Sequence, residues 1–144
     1  AIICACDGVN YLDSLKAAEE FFEAANAALK VGGLLLFDIS SQYKLENILG
    51  CNTFAEDEQG GAYIWKNNYD PKSRLIEMEL TFFERQGELY RRFAERHIQR
   101  AHGVDELLSA LSRAGFDAEA YDFETMDPVK PDSERVQFSG RKRR

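Results

Sequence analysis

The first third of the chain has the hydrophobic pattern of a strand, a helix and a second strand. Residues 1–6 (AIICAC) and 34–37 (LLLF) are continuously apolar, which is typical of strands covered on both faces in a parallel sheet. Between them, apolar residues recur at helical spacing over residues 15–30. Short connections between these elements predict a βαβ unit, in which the two strands run parallel and the crossover is right-handed.

Both ends of the predicted helix carry recognisable signals. Asp13 or Ser14 offers an N-cap, because a short oxygen-bearing side chain can accept a hydrogen bond from the first helical turn. Lys30 suits the last turn, where a cation interacts favourably with the helix dipole. The pair Gly32-Gly33 then predicts a left-handed C-cap.

The pattern changes between residues 41 and 103. A short helix is predicted at residues 41–50, and three stretches of alternating polarity follow it. They are separated by the turn DPKS at residues 70–73 and by a turn around Gly87. Strands joined by short turns predict an antiparallel three-stranded β-meander.

Helical spacing returns over residues 104–114, and Gly115 is expected to end that helix. Two more strands are predicted, at residues 116–123 and 135–141. The fold class is therefore α/β. We expect one domain over residues 1–144, with an α/β core formed by its two ends and with residues 41–103 inserted as a lid.

Composition limits the possible functions. The net charge of −7 argues against a nucleic-acid-binding surface, and the basic cluster at residues 141–144 is short enough to be a solvated end. Two of the three cysteines, Cys4 and Cys6, lie in one apolar strand, so a disulfide framework is not expected. Cysteine and histidine are too scattered for a metal site. No apolar run reaches membrane-spanning length, and we expect a cytoplasmic protein.

Acidic residues end the first two predicted strands. Asp7 follows the first strand and Asp38 ends the second. Ligands of open parallel sheets bind beyond the carboxyl ends of the strands, and a βαβ unit brings two such ends to one edge. The two carboxylates are therefore expected to border a common site. The alternative is that each acid caps a following helix or turn.

The ordered segments IICACDGVNYL, LKVGGLLLFDIS, YKLENILG, YIWKNNYD, LTFFER, RHIQRAH, LLSALSRAGF and SERVQFSGRK resemble the second half of a class I S-adenosylmethionine-dependent methyltransferase. The resemblance is to the bacterial small-molecule type with an inserted β-meander, and it covers essentially the whole chain. It implies a Rossmann-like three-layer α/β/α fold, S-adenosylmethionine as cofactor, and methyl transfer to a small-molecule acceptor that the sequence does not identify.

The sequence lacks the glycine-rich turn through which this family binds its cofactor. Gly32-Gly33 follows a helix and not a strand, so it does not supply that turn. Only the last four of the family's seven strands are represented. We therefore expect a truncated methyltransferase domain that binds S-adenosylmethionine weakly or not at all and is inactive alone. Residues 1–6 would form an exposed edge that pairs with the missing N-terminal half or with another copy.

The resemblance places the residues after the first strand at the methionine end of the cofactor. These are Cys6, Asp7 and Gly8, and Gly8 would allow close approach of the backbone because it has no side chain. Tyr11 is the nearby aromatic residue whose face could tolerate the sulfonium cation. Packing of Tyr11 against the following helix is the alternative.

The acceptor pocket is expected between the edge of the sheet and the meander. The candidate pocket residues are Asp38, Tyr43, Trp65, Tyr69 and Arg96. Simple packing of the meander is the alternative for the aromatic residues, and pairing with glutamates across the meander is the alternative for Arg96.

If the acceptor must lose a proton, His97 is the candidate base, because histidine exchanges protons near neutral pH. A structurally hydrogen-bonded histidine is the alternative. Two other classes of protein remain open at this point. One is another nucleotide-binding α/β enzyme, such as a dehydrogenase half, and the meander and the missing glycine fingerprint count against it. The other is a noncatalytic binding or dimerisation module.

Overall fold

The computed structural model describes all 144 residues, which form two four-stranded sheets and two α-helices. In chain order the elements are β1 (Ile2–Cys4), a 3₁₀ turn (Gly8–Tyr11), α1 (Leu15–Ala28), β2 (Leu34–Ser40), a π-helix (Lys44–Leu49), β3 (Thr53–Glu58), β4 (Gly61–Asp70), β5 (Leu75–Gln86), β6 (Leu89–Arg100), α2 (Val104–Arg113), β7 (Phe116–Asp122) and β8 (Arg135–Lys142).

The first sheet has the strand order β1-β2-β8-β7 and forms the α/β core. β1 pairs with β2 in parallel, as the sequence predicted, whereas β8 runs antiparallel to both of its neighbours. Apolar side chains of α1 and α2 pack with those of the sheet. At the centre, the rings of Phe37 and Phe138 stack with centroids 4.7 Å apart, and Phe22 of α1 packs on Phe37.

β1 lies at the edge of this sheet and is shorter than the predicted strand. Only three residues pair with β2, and Ile3 is 71% exposed. The prediction of a strand covered on both faces is therefore not met in this chain. Ile2 and Cys4 pack against the apolar core with the helices, whereas Ile3 lies on the opposite face of the sheet.

The ends of α1 partly follow the sequence signals. Ser14 is the N-cap, and its Oγ accepts a hydrogen bond from the Ala17 N–H at 3.1 Å. The helix ends earlier than predicted, at Ala28, with Leu29 in an extended conformation. Gly32 does adopt a left-handed conformation (φ 78°), but it does so in the separate turn that leads into β2.

The second sheet is an antiparallel meander with the order β3-β4-β5-β6. The three predicted strands are confirmed as β4, β5 and β6. The structure adds β3, which pairs with β4 along its whole length. β3 is exposed and rich in acids, so its sequence (TFAEDE) lacks the apolar alternation that would have identified it.

Polar contacts of Arg74 and Asn10 help to attach the meander to the α/β core. Arg74, in the turn between β4 and β5, forms a two-point ion pair with Glu106 of α2 and donates to the Ala101 carbonyl. Asn10 of the 3₁₀ turn is fully buried and donates to the carbonyls of Ser40 and Arg100. Neither α-helix has the length and apolarity needed to cross a membrane.

Candidate active site

The two acids predicted to share an edge of the sheet are in direct contact. The main-chain N–H of Asp7 donates to Oδ2 of Asp38 at 3.1 Å. Arg135, the first residue of β8, bonds to both carboxylates, at 3.2 Å to Asp7 Oδ1. Asp38 is 4% exposed and lies two residues before the end of β2. The common edge is therefore present, and a partly buried arginine–carboxylate network holds it together.

The backbone between β1 and the 3₁₀ turn is strained. Cys6 and Asp7 are consecutive non-glycine residues in the left-handed region, with φ of 58° and 50°. Such residues cost about 1–2 kcal/mol each and tend to cluster at functional sites. Asp7 is held in this conformation from several sides, since Gln99 of β6 donates to its Oδ2 at 2.6 Å in addition to the Asp38 and Arg135 contacts.

Gly8 has a packing role within the chain. A Cβ at this position would lie 2.8 Å from Sγ of Cys4, so the missing side chain makes room for Cys4. Burial raises the pKa of the Cys4 thiol, and the Asp38 carboxylate raises it further. Cys4 is therefore a protonated packing residue and not a nucleophile.

Asn10 holds the 3₁₀ turn against the ends of β2 and β6. In addition to its two donor contacts, its Oδ1 accepts from the Ser40 N–H at 2.9 Å. The side chain thus completes the main-chain hydrogen bonding where both strands end. This contact sets the position of the next residue, Tyr11, opposite β6.

Tyr11, His97 and Glu95 form a hydrogen-bonded chain across the opening between the core and the meander. The Tyr11 hydroxyl lies 3.0 Å from Nδ1 of His97, and Nε2 of His97 lies 3.2 Å from Oε2 of Glu95. A carboxylate only accepts hydrogen bonds, so Nε2 carries the proton in neutral His97 and Nδ1 accepts from Tyr11. The rings of Tyr11 and His97 also pack edge to face, with centroids 5.9 Å apart.

Tyr11 and His97 border a cavity of about 250 Å³ that we call the rim pocket. Of the residues predicted for the site, Asp7, Tyr11, Trp65 and His97 line it. Four polar residues of the lining were not predicted from the sequence, and these are Ser40, Lys44, Gln99 and Arg135. The apolar part of the lining comes from Leu49, Met78 and Leu80.

The other predicted residues lie outside the rim pocket. Asp38 is buried beneath it, and Tyr69 is packed in the apolar cluster between the π-helix and the meander. Tyr43, next to the π-helix, is half-buried and contributes no lining atoms. Arg96 projects from the opposite face of β6 and pairs with Glu77, which was the alternative interpretation for it. Cys6 and Gly8 adjoin the pocket through the strained turn.

One sequence signal could have identified Gln99, because it has the same parity on β6 as His97 and so lies on the same face. Arg135 had no such signal. It lies 128 positions from Asp7 and reaches it only because β8 inserts beside β2.

This chain is similar to known proteins in both sequence and structure. A protein of Bacillus subtilis (strain 168) with the name "Putative methyltransferase YqeM" is 33% identical over 144 residues, which are 99% of this chain and 58% of that protein. The crystal structure of an S-adenosylmethionine-dependent methyltransferase from Clostridium acetobutylicum is 31% identical, covers 99% of this chain and 58% of its own, and has a TM-score of 0.92. No family model matches the sequence.

More distant structures share the fold alone. The CcbJ methyltransferase from Streptomyces caelestis is 14% identical and superposes with a TM-score of 0.79 over 97% of this chain and 59% of its own. The fold is thus a partial Rossmann-like methyltransferase fold. The resemblance to class I S-adenosylmethionine-dependent methyltransferases is confirmed, and the chain corresponds to the C-terminal part of such proteins, with 58% of the length of the Bacillus relative.

Proposed function

We propose that this chain is part of a methyltransferase that uses S-adenosylmethionine to methylate a small molecule. The observation that carries the proposal is the strained turn at Cys6 and Asp7, held by Asp38 and Arg135 at the carboxyl edge of the parallel strand pair. Relatives of matching sequence and fold are named as methyltransferases, which supports it.

The residues at this edge suit the methionine end of the cofactor. When bound, S-adenosylmethionine supplies an electrophilic methyl group on a sulfonium. The main chain of Cys6, Asp7 and Gly8 would hold this end, while the aromatic ring of Tyr11, 49% exposed beside the pocket, tolerates positive charge. Both oxygens of Asp7 already accept hydrogen bonds within the chain, so we assign Asp7 to positioning the turn.

The protein's contribution to methyl transfer is chiefly alignment and exclusion of water, because the reaction is an in-line displacement. Where the acceptor must lose a proton, the Tyr11–His97 pair provides a route. The Tyr11 oxygen receives the acceptor's proton as its own proton passes to Nδ1 of His97. Glu95 then stabilises the imidazolium through Nε2. His97 is the proposed base, and the acceptor atom would lie beside Tyr11.

We further propose that these 144 residues supply one side of the cofactor site and that polypeptide outside them supplies the rest. The chain alone would then bind S-adenosylmethionine weakly and be inactive. The exposed edge of β1 is the proposed contact with that polypeptide or with a second copy. A cytoplasmic location is proposed from the three free cysteines.

Calorimetric titration of S-adenosylmethionine tests the proposal. The ligand is titrated into this chain and into a longer protein that includes the coding sequence upstream of Ala1. We expect clear binding to the longer protein and very weak binding to this chain. Absence of binding to the longer protein would reject the cofactor assignment.

A further inference from the structure

We propose that the rim pocket binds an acceptor that carries an anionic oxygen group, a carboxylate or a phosphate, next to an apolar body, and that Lys44 holds the anionic group. The inference rests on the proposed function, since it names the class of acceptor for the same pocket. It depends on which charged and polar groups of the lining already have partners within the chain.

The Asp7 carboxylate, the anionic group of the lining, already has hydrogen-bond partners within the chain. Oδ1 of Asp7 accepts from Arg135 and Oδ2 accepts from Gln99. Arg135 is itself shared between Asp7 and Asp38, so its charge is balanced by two carboxylates. Neither Asp7 nor Arg135 is therefore free to bind a charged ligand group without breaking the network that holds the strained turn.

Three lining residues, Ser40, Lys44 and Trp65, carry side-chain donors that form no hydrogen bond within the chain. The ammonium group of Lys44 forms no ion pair and no side-chain hydrogen bond, although the residue is half-buried. The indole N–H of Trp65 is shielded from solvent and has no acceptor. A ligand oxygen in the pocket would pair with the Lys44 ammonium, whereas the shielded Trp65 N–H is closed to the cavity. The unpaired donors of the pocket therefore favour a ligand with acceptor oxygens.

The geometry of the π-helix explains why Lys44 lies in the pocket. Lys44 and Leu49 are five positions apart and both line it. Residues five apart in an α-helix point about 140° away from each other, whereas the i→i+5 pattern of a π-helix brings them to the same side. The wider turn therefore places a cation and an apolar side chain together on the pocket lining. π-turns of this kind are frequent at functional sites.

The rest of the lining suits an apolar body of limited size. Leu49, Met78 and Leu80 line the pocket, and the ring of Trp65 adds a flat surface. The volume of about 250 Å³ restricts the ligand to a small molecule. In this proposal Lys44 binds the anionic group, and the methylated atom lies beside Tyr11 and His97.

The single tryptophan makes a direct test possible. Trp65 is the only tryptophan in the sequence, so a ¹H–¹⁵N spectrum contains one indole signal. Phenylacetate, phenyl phosphate and neutral phenylacetamide are titrated separately at millimolar concentrations. We expect a saturable shift of the indole signal with phenylacetate or phenyl phosphate, and which of the two binds more tightly identifies the anionic group. Phenylacetamide should bind at least about tenfold more weakly than the anionic probes.

Two lysine variants complete the test. Lys44→Met should weaken binding of the anionic probe by about tenfold or more. Lys72→Met, an exposed lysine without an ion pair in the turn between β4 and β5, should leave it unchanged. Equal shifts with the neutral amide, no shift with either anion, or equal effects of the two variants would overturn the inference. An unchanged indole signal in ligand-free Lys44→Met verifies that the variant is folded.

Calorimetry with S-adenosylmethionine distinguishes failure of the acceptor assignment from failure of the proposed function. Lys44→Met in the longer protein should leave cofactor binding unchanged. Cofactor binding without anion binding would reject only the acceptor class. Anion binding without cofactor binding would reject the methyltransferase proposal and leave an anion-binding pocket.

Discussion

The N–H of Asp7 and the carboxylate of Asp38 are 31 positions apart in sequence and 3.1 Å apart in the structure. The contact exists because β1 and β2 run parallel and end at the same edge. The bond lies within the turn in which Cys6 and Asp7 are both left-handed. The proposed methyl-transfer site is built around this contact.

Loss of the cation that joins the two acids should destabilise the fold. Arg135→Met leaves Asp38 buried with only the Asp7 N–H as a partner, and we expect the free energy of unfolding to fall by about 2–4 kcal/mol. Urea unfolding measures the change. Arg141→Met, in the same strand but with an exposed side chain, should cost less than about 1 kcal/mol.

A second substitution separates charge from packing in this network. Adding Asp38→Asn to Arg135→Met removes the uncompensated carboxylate and should recover part of the lost stability. If Arg135→Met costs no more than Arg141→Met, the network does not hold the turn.

The hydrogen-bonded chain at the pocket predicts the tautomer of His97. In the neutral form, Nε2 should carry the proton because it faces the Glu95 carboxylate. A long-range ¹H–¹⁵N spectrum distinguishes the tautomers, and His102→Gln assigns the signals because the chain has two histidines. Glu95→Gln should increase the fraction with the proton on Nδ1. A dominant Nδ1–H form in the unsubstituted protein would contradict the proposed relay.

His102 should make stability depend on pH. Burial lowers its pKa, the Leu12 carbonyl contact opposes this, and Arg100 lowers it further. The unfolded chain then binds more protons than the folded one. The stabilisation is present above the unfolded pKa of about 6.5 and is lost as the pH falls towards the lower folded value.

Urea unfolding at several pH values tests this. The unsubstituted protein should lose stability below about pH 6.5 more steeply than His102→Gln, by at most about 1.4 kcal/mol per pH unit. His97→Gln is the matched control and should retain the steep slope. A slope that His102→Gln leaves unaltered would show that His102 does not titrate differently on folding.

The edge of β1 should drive self-association. Its main-chain groups face outward, and Ile3 is an exposed apolar residue on it. Sedimentation should show association at micromolar concentration that Ile3→Lys reduces. Val31→Lys, an exposed apolar residue in a turn, is the control and should have little effect. A monodisperse monomer of the unsubstituted chain would contradict the prediction.

Most of the fold could be predicted because apolar periodicity reports burial. The parallel pair, both α-helices and three meander strands all follow from it. β3 was missed because it is held by main-chain pairing with β4 and buries almost nothing. The π-helix was predicted only as a helix, because apolar spacing over six residues does not distinguish the two forms.

The site was less predictable than the fold. Asp7, Tyr11, Trp65 and His97 could be named because they follow a strand or share a strand face. Their partners could not, since Gln99 and Arg135 reach Asp7 across 92 and 128 positions. Arg96 shows the limit of residue-type arguments, because parity on β6 puts it on the face away from His97.

The most direct test of the proposed site is the response of the Cys6–Gly8 turn to S-adenosylhomocysteine, the demethylated form of the cofactor. The longer protein is labelled with ¹⁵N, and its main-chain amide signals are followed as the ligand is added. We predict saturable shifts at Cys6, Asp7 and Gly8, with smaller changes at β7. Saturable binding that leaves these three amides unchanged would contradict the assignment of this edge as the place where the methyl donor binds.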